Sequence, residues 1–315
     1  MRKTICRRSI PGNNGGGVVL ILVIWVMVIL LAIVGEFSYS MRTELNMTRN
    51  FKEEEGAYQS ALAGAELAKL EILSVKEPFY VFKNEEGILV IGKEDSEAPV
   101  REGKIGSSAF SYIITDENGK LNINAATQPQ LKYIVKNTGV DITEVDTIVD
   151  SIMDWRDTND LHMLNGAEED YYQSLDNPYS CKDGPFDMIE ELLLVKGVTP
   201  EIFFGSKEND GEEKQYKGLV NYLTTWSSMK INDNTAPGEV LEAVLGTAHA
   251  ENIMKQREAG PILSPIYGGS ATSSVFSVVS TGTNLDGTIK RTIKTTFRRS
   301  GKKLEVIYWD DNFTG

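Results

Sequence analysis

A chain of 315 residues with 41% hydrophobic and 24% charged side chains can bury a sizeable core and divide into domains, which excludes a disordered polymer. Its formal charge is −13, and Arg2, Lys3, Arg7 and Arg8 precede the first long apolar run with no acid among them, so the remainder carries 28 basic against 45 acidic residues. So acidic a body repels nucleic acid and anionic lipid, and it suits a soluble extracytoplasmic domain or one that binds cations.

The first element is "GGGVVLILVIWVMVILLAIVGEF", Gly15 to Phe37. Val18 to Val34 is a run of 17 residues without a charge, which spans about 26 Å as a helix and so crosses a bilayer. A cleaved secretory signal would have a shorter apolar centre and a small-x-small site, a role that Ala32 and Gly35 fill poorly. The basic residues ahead of the run place that end in the cytoplasm and everything after Glu36 outside. From Val18 no proline occurs until Pro78. Phe37, Met41, Leu45, Thr48, Phe51, Tyr58, Leu62, Ala65 and Ile72 recur at helical spacing, opposite Arg42, Glu44, Arg49, Lys52, Glu53, Glu54 and Glu66. The membrane helix is therefore expected to continue as one rod over 18–77, its outer apolar stripe covered by the following domain or by neighbouring subunits. A basic leader over 1–17 ending in glycine, followed by such a helix and an α+β body, resembles the type IV pilin-like proteins. That resemblance implies cleavage by a prepilin peptidase between Gly17 and Val18. It also implies a fifth mature position at Leu22, or Ile21 if the cut falls one residue earlier, so the glutamate usual there is absent in either frame.

After Pro78, "FYVF", "GILVIG" and "AFSYIITDENGKLNIN" have strand character, and the Asn-Gly of "DENGK" predicts a hairpin turn. "LNINAATQPQLKYIV" reads as a strand-to-helix transition with Asn124 and Thr127 as caps. "KINDNTAPGEVLEAVLG" repeats that logic further on with Asn234, Thr235 and Pro237. Between them lie helical patterns: "TEVDTIVDSIMDW" keeps Val145, Ile148, Val149, Ile152 and Trp155 on one side, and "PFDMIEELLLVKGVTPEIF" forms a second apolar pattern. Strands return in "SVFSVVSTG", "GTIKRTIKTTFRR" and "KKLEVIYWD", with glycine turns expected at Gly282, Gly287 and Gly301. The expected class is α+β: a pilin-like long N-terminal helix packed on an antiparallel sheet, with an all-α insertion, SAM-like or helix-hairpin-helix-like, over 128–227 between α+β parts at 78–127 and 228–315.

"DWRDTND", "NGAEEDYY", "NPY", "PFDMIEELLLVKGVTPEIF" and "INDNTAP" follow one another in an order that resembles the type II secretion system protein K family. The resemblance covers the leader, the anchor and about residues 110 to 245, and it departs at Asp233, where an apolar residue is usual, and around Cys181. It implies a minor pseudopilin without chemistry of its own, at the tip of a periplasmic pseudopilus with minor pseudopilins I and J, its inserted domain obstructing further addition. It implies membership of the bacterial inner membrane before assembly. The family also lacks the fifth-position glutamate. A carboxylate there is thought to pair with the N-terminus of the subunit above, and a subunit with nothing above would bury it unpaired, at a cost of several kcal/mol, so Leu22 suits a tip.

Asp154, Asp157, Asn159, Asp160, Glu168, Glu169, Asp170, Asp176 and Asp183 form an acidic stretch whose hard oxygens suit calcium, which members of the family bind in this domain. The expected ligands are Asp157, Asn159, Asp160, Glu168, Asp170 and Asp176. The spacing is not that of an EF-hand, because the glycine of "DTNDLHMLNGAE" comes too late, at Gly166. The bland alternative is that several of these acids cap helices or line solvated turns. His162 and His249 are the only histidines, so no zinc cluster or catalytic triad is evident and no enzyme is expected. "LLLVKGVTPEIFFG" resembles a helix-hairpin-helix, which makes a membrane-tethered DNA-binding or uptake protein the rival reading. Glu190, Glu191, Glu201, Glu208, Asp210, Glu212 and Glu213 flank it, however, so nucleic acid is not expected as a partner. "KRTIKTTFRRSGKK" reads as a strand with a charged outer face, and "YGGSATSS" as a flexible loop. Cys6 and Cys181 supply no disulfide framework, and Cys181 is read as a lone, partly buried thiol without a role.

Overall fold

The computed structural model describes residues 15–74, 81–84, 87–92, 99–206, 215–228 and 230–314. Residues 1–14 of the basic leader, with Cys6, the start of "FYVF" and the acids at 208–213 lie outside the described residues. The chain forms two compact units, Met1–Glu55 and Gly56–Gly315.

In the first unit the first 41 residues of α1 (Gly15–Ser74) form one uninterrupted helix whose Val18–Val34 side chains are exposed throughout. This helix is the one described element long and apolar enough to cross a membrane. Phe37, Met41, Leu45 and Phe51 are exposed as well.

In the second unit, the remaining turns of α1 lie on a five-stranded antiparallel sheet. Its strands are β3 (Glu102–Ile105), β4 (Ser108–Asp116), β7 (Val275–Asn284), β8 (Lys290–Ser300) and β9 (Lys303–Asp310), in that spatial order. A short antiparallel pair, β1 (Val81–Lys83) with β2 (Leu89–Ile91), stands beside it. Of the expected stripe, Ala65 and Ile72 lie buried on the helix face against the sheet, together with Ala57, Ala61 and Ala68, whereas Tyr58 and Leu62 are half-exposed. Small residues are needed because the approach is close. Gly282, expected in a turn, sits inside β7, where a Cβ would overlap the Ala57 carbonyl and come within 2.6 Å of Ala61 N. Ser280 Oγ donates to Ala61 O at 2.7 Å. Glu71 at the end of α1 meets Arg101 Nη2 at 2.6 Å and accepts from Tyr112 OH at 3.1 Å. Burial and this carboxylate push the Tyr112 phenol up to about 12.

The insertion lies between β4 and β7. "DENGK" makes no hairpin. Glu117–Gly119 is a 3-10 turn, and β5 (Leu121–Asn122) pairs in parallel with distant β6 (Leu223–Thr224). The local turn signal loses to buried tertiary bonds. Asp116 accepts from Ser273 Oγ at 2.6 Å, Thr235 Oγ1 at 2.5 Å, Asn232 Nδ2 at 3.0 Å and Asn118 N at 3.0 Å. Burial still raises its carboxyl above the usual range, against those bonds. α2 (Gln128–Asn137) starts at Thr127, whose amide donates to Gln130 Oε1 at 2.9 Å, with Pro129 in the first turn. α3 (Ile142–Arg156) is capped by Asp141 and buries the predicted Val145, Ile148, Val149, Ile152 and Trp155. α4 (Glu169–Gln173), a 3-10 stretch at Ile189–Leu194 and α5 (Pro200–Phe204) follow. α6 (Gly238–Leu245) and α7 (Thr247–Arg257) bury Val240, Leu241, Ala250 and Ile253 in the same apolar core as α2 and α3. This core runs from Leu121 to Ile262, beyond the 128–227 expected of the insertion.

The two strand-to-helix transitions are copies of one another in atomic detail. Asn124 exchanges bonds with the Phe186 backbone, donating at 2.9 Å and accepting at 2.8 Å, and Asn234 does the same with Ile262 at 2.9 and 2.7 Å. Asn122 Oδ1 accepts from Asn124 N at 2.9 Å, and Asn232 Oδ1 from Asn234 N at 3.0 Å. The arginine ending each second helix closes the copy. Arg156 donates to Ile123 O and, at 2.6 Å, to Ala126 O, and Arg257 donates to Asp233 O and, at 2.8 Å, to Ala236 O. Asn124 and Asn234 are thus bridges to a distant Gly-Pro-apolar segment rather than helix caps. Thr127 begins α2, Thr235 is drawn to Asp116, and Pro237 precedes α6.

Candidate metal centre in the helical insertion

The site begins with an acid on the apolar side of a helix. Asp154 belongs to α3 but is fully buried next to Trp155, and its oxygens accept from the backbone amides of Met163 at 3.0 Å and Ala167 at 3.0 Å. These bonds fold the segment after α3 back over the helix end. Gly166 is required there because a Cβ would overlap Asp154 Oδ2. One turn earlier, Asp150 accepts from Asn165 N at 3.2 Å, Asn165 Nδ2 at 3.1 Å and Gln128 Nε2 at 2.8 Å.

The folded-back loop delivers Glu168, only 3% exposed, into the centre. Apart from the Cys181 thiol, neither of its carboxylate oxygens has a hydrogen-bond partner among the described residues, and the same holds for Asp183 Oδ1. Ligand atoms of Asp154, Asp157 and Glu168 lie within 4.8 Å of one another, as do those of Glu168, Cys181 and Asp183. Glu168 is common to both groups. Burial pushes its carboxyl up to about 7, opposed by Cys181 and reinforced by Asp154, Asp157 and Asp183. Burial likewise raises Asp154, against the Met163 and Ala167 amides, and pushes the Cys181 thiol up to about 12. Asp183 stands at φ 49°, the one non-glycine residue with positive φ among those described. Glu169 anchors the other wall by accepting from Cys181 N at 2.7 Å. Behind the site pack Trp155 and Tyr172, edge to face at 5.1 Å, with Tyr179 and Phe186.

Carboxylates gathered at one point, with the buried Glu168 offered no donor but a thiol, fit a cation with oxygen ligands, because such a group is costly alone and is satisfied by an ion. Of the six ligands expected, Asp157 and Glu168 come together here. Asn159 donates to Asp157 Oδ1 at 2.7 Å and is exposed. Asp160, Asp170 and Asp176 are exposed and belong to neither group, and Asp170 accepts from Tyr171 N at 2.8 Å. Asp154, Asp183 and Cys181 are the members the spacing did not single out. An acid at Asp154, four residues after Asp150 on a helix side otherwise apolar, is the signal that points to the first of them. The helix-hairpin-helix turn, by contrast, is occupied internally. Gly197 takes φ 85°, Thr199 Oγ1 accepts from Ile202 N at 3.3 Å, and Glu190 and Glu191 pair with Lys294 and Lys182.

The sequence profile of type II secretion system protein K matches residues 112–204, which contain this site. The chain is 24% identical to the type II secretion system protein K of Aeromonas hydrophila over 216 residues, covering 63% of this chain and 62% of that one. It is 26% identical to that of Pectobacterium carotovorum subsp. carotovorum over 236 residues, covering 69% and 64%. The match thus spans just under two thirds of the length of these relatives. The fold is similar to a chain of the GspK–GspI–GspJ complex from the enterotoxigenic Escherichia coli type 2 secretion system, with a TM-score of 0.59 at 18% identity, covering 85% of this chain and 100% of that one. A matching domain over residues 112–204, relatives along most of the sequence and a common fold make this chain similar to the type II secretion system protein K family.

Proposed function

We propose that this chain is a minor pseudopilin that sits at the tip of a secretion pseudopilus and initiates or caps its assembly, without catalysing a reaction. The observation that carries the reading is a protein K domain inserted between β4 and β7 of a pilin-like helix-on-sheet body whose N-terminal helix is long and apolar enough to cross a membrane. Before assembly that helix would hold the subunit in the bacterial inner membrane as a single span, with the basic leader cytoplasmic and the body periplasmic. A prepilin peptidase would cut between Gly17 and Val18. The exposed Val18–Phe51 surface would then pack in the fibre, and Leu22, apolar where a carboxylate is usual, would need no partner above it. The solved complex of protein K with I and J supports the minor pseudopilins I and J as partners. A calcium ion would be held by Asp154, Asp157 and Glu168, whose ligand atoms lie within 4.8 Å of one another, and the chemistry it supplies is charge neutralisation. The chain's own part is to hold these oxygens in place through the Met163, Ala167 and Gly166 turn. Co-expression with a prepilin peptidase followed by N-terminal sequencing tests the reading. Val18 is the expected first residue, and an uncut chain overturns it.

A further inference from the structure

The second strand-to-helix transition differs from the first at its middle residue. Asn122 and Asn124 flank Ile123, fully buried in the apolar core, whereas Asn232 and Asn234 flank Asp233, which is only 1% exposed. Neither Asp233 oxygen has a hydrogen-bond partner among the described residues, and Arg257 Nη2, on the cation nearest in charge, has none either. A carboxyl placed where the sister transition carries isoleucine is tolerated uncharged and opposed when ionised.

What closes over that carboxyl is the segment returning from the insertion to the sheet. Ser270 N donates to Ile231 O at 2.7 Å and Asp233 N to Ser270 O at 2.7 Å, a parallel bridge centred on Asn232 and Ser270. Gly269 lies directly against the carboxyl, where a Cβ would fall 2.2 Å from Asp233 Oδ1. Asn232 Nδ2 donates to Ser273 Oγ at 2.6 Å, just before β7 begins. We propose that Asp233 is a proton-operated latch: uncharged, it lets residues 268–273 close on Ile231–Asp233, and its ionisation loosens them and with them the joint between the insertion and β7.

Few other groups bear on the latch. Arg257 on α7 attracts the ionised form, although its own donors are engaged by Asp233 O and Ala236 O. Tyr267 is the one titratable side chain over 263–274, and its ring stacks on His249 of α7 at 4.1 Å. Asp116 on β4 is reached only through Asn232 Nδ2, which donates to it at 3.0 Å. Burial outweighs the pull of Arg257 and raises the Asp233 carboxyl above the usual aspartate range. The folded state therefore favours the protonated form, so the latch is closed at acid pH and its grip is lost as pH rises through that raised value.

The test is hydrogen exchange read by mass spectrometry on the full chain in detergent, from about pH 4 to about pH 8, with each rate referred to that of an unstructured peptide at the same pH. The segment 263–274 should lose protection by ~10-fold or more across that range, while α2 keeps its own. Asp233→Asn and Asp233→Ile, the second of which copies the first transition, should both abolish the loss, with circular dichroism confirming the fold of each. Wild-type protection that stays flat or rises with pH overturns the proposal without recourse to any variant. An equal loss in a folded Asp233 variant overturns it too, as does a loss that vanishes in His249→Gln with Asp233 intact.

Discussion

Replacing Glu168 by glutamine should change stability in opposite directions with and without a divalent ion. In the ion-free protein, Glu168 is a buried carboxyl with no partner but the Cys181 thiol, and burial pushes it up to about 7, so it carries its charge above that pH. An unsatisfied buried polar group costs about 1–3 kcal/mol, and more when charged. Above that pH, removing the charge should therefore stabilise the metal-free body, by roughly 2–12 °C in Tm at about 2–4 °C per kcal/mol for a domain of this size. In the loaded protein the balance reverses. Calcium at a hundred times its dissociation constant adds about 2.7 kcal/mol to the wild type, or about 5–10 °C, and the variant forfeits most of that. The assay is thermal unfolding of wild type and Glu168→Gln in chelator and in millimolar calcium, followed by circular dichroism. The expected pattern is a crossing: the variant above the wild type in chelator and below it in calcium. Parallel shifts, or a wild-type Tm indifferent to calcium, would refute the reasoning.

Three further outcomes follow from the packing. Gly282→Ala forces a methyl into the Ala57 carbonyl and the Ala61 amide, helix backbone with no rotamer to yield, so it should lower stability by about 3 kcal/mol or more in urea titration. Arg156→Ala and Arg257→Ala each release two buried carbonyls from equivalent places in the duplicated module. Both should lower stability by about 2–4 kcal/mol, and a large effect at one with none at the other would break the equivalence. Arg101→Ala leaves Glu71 without its part-buried ion pair at the end of α1, with only Tyr112 as donor, and should cost about 1–3 kcal/mol, partly restored by the second change Glu71→Gln.

The long helix, α3 and the three C-terminal strands were legible because each is set by a repeat within one segment: an uncharged run, a 3.6-residue period, a two-residue alternation. What the sequence hid depends on residues far apart. "DENGK" has the composition of a hairpin turn, yet Asp116 and Asn118 spend their hydrogen bonds on Asn232, Thr235, Ser273 and Val275, and no local signal announces that. The stripe read on α1 held at Ala65 and Ile72 but was one residue off at Tyr58 and Leu62, because a helix lying this close to a sheet needs the small side chains of Ala57 and Ala61 at the contact. The apparent kinship of "LNINAAT" and "INDNTAP" proved deeper than a shared turn, since each needs an arginine and a Gly-Pro segment many residues away to complete it. The site was half legible for the same reason. The density of acids marked the region, but burial decides which of them meet, and only the fold-back of the loop onto Asp154 brings Glu168 to Asp183 and Cys181.

The central claim is that this chain works as the tip subunit of a pseudopilus, and its most direct test is reconstitution of the tip. The peptidase-processed chain, co-expressed in membranes with minor pseudopilins I and J of the same secretion system and tagged on this chain alone, should purify with both partners as one complex of defined stoichiometry. Recovery of the processed chain free of I and J would contradict the account.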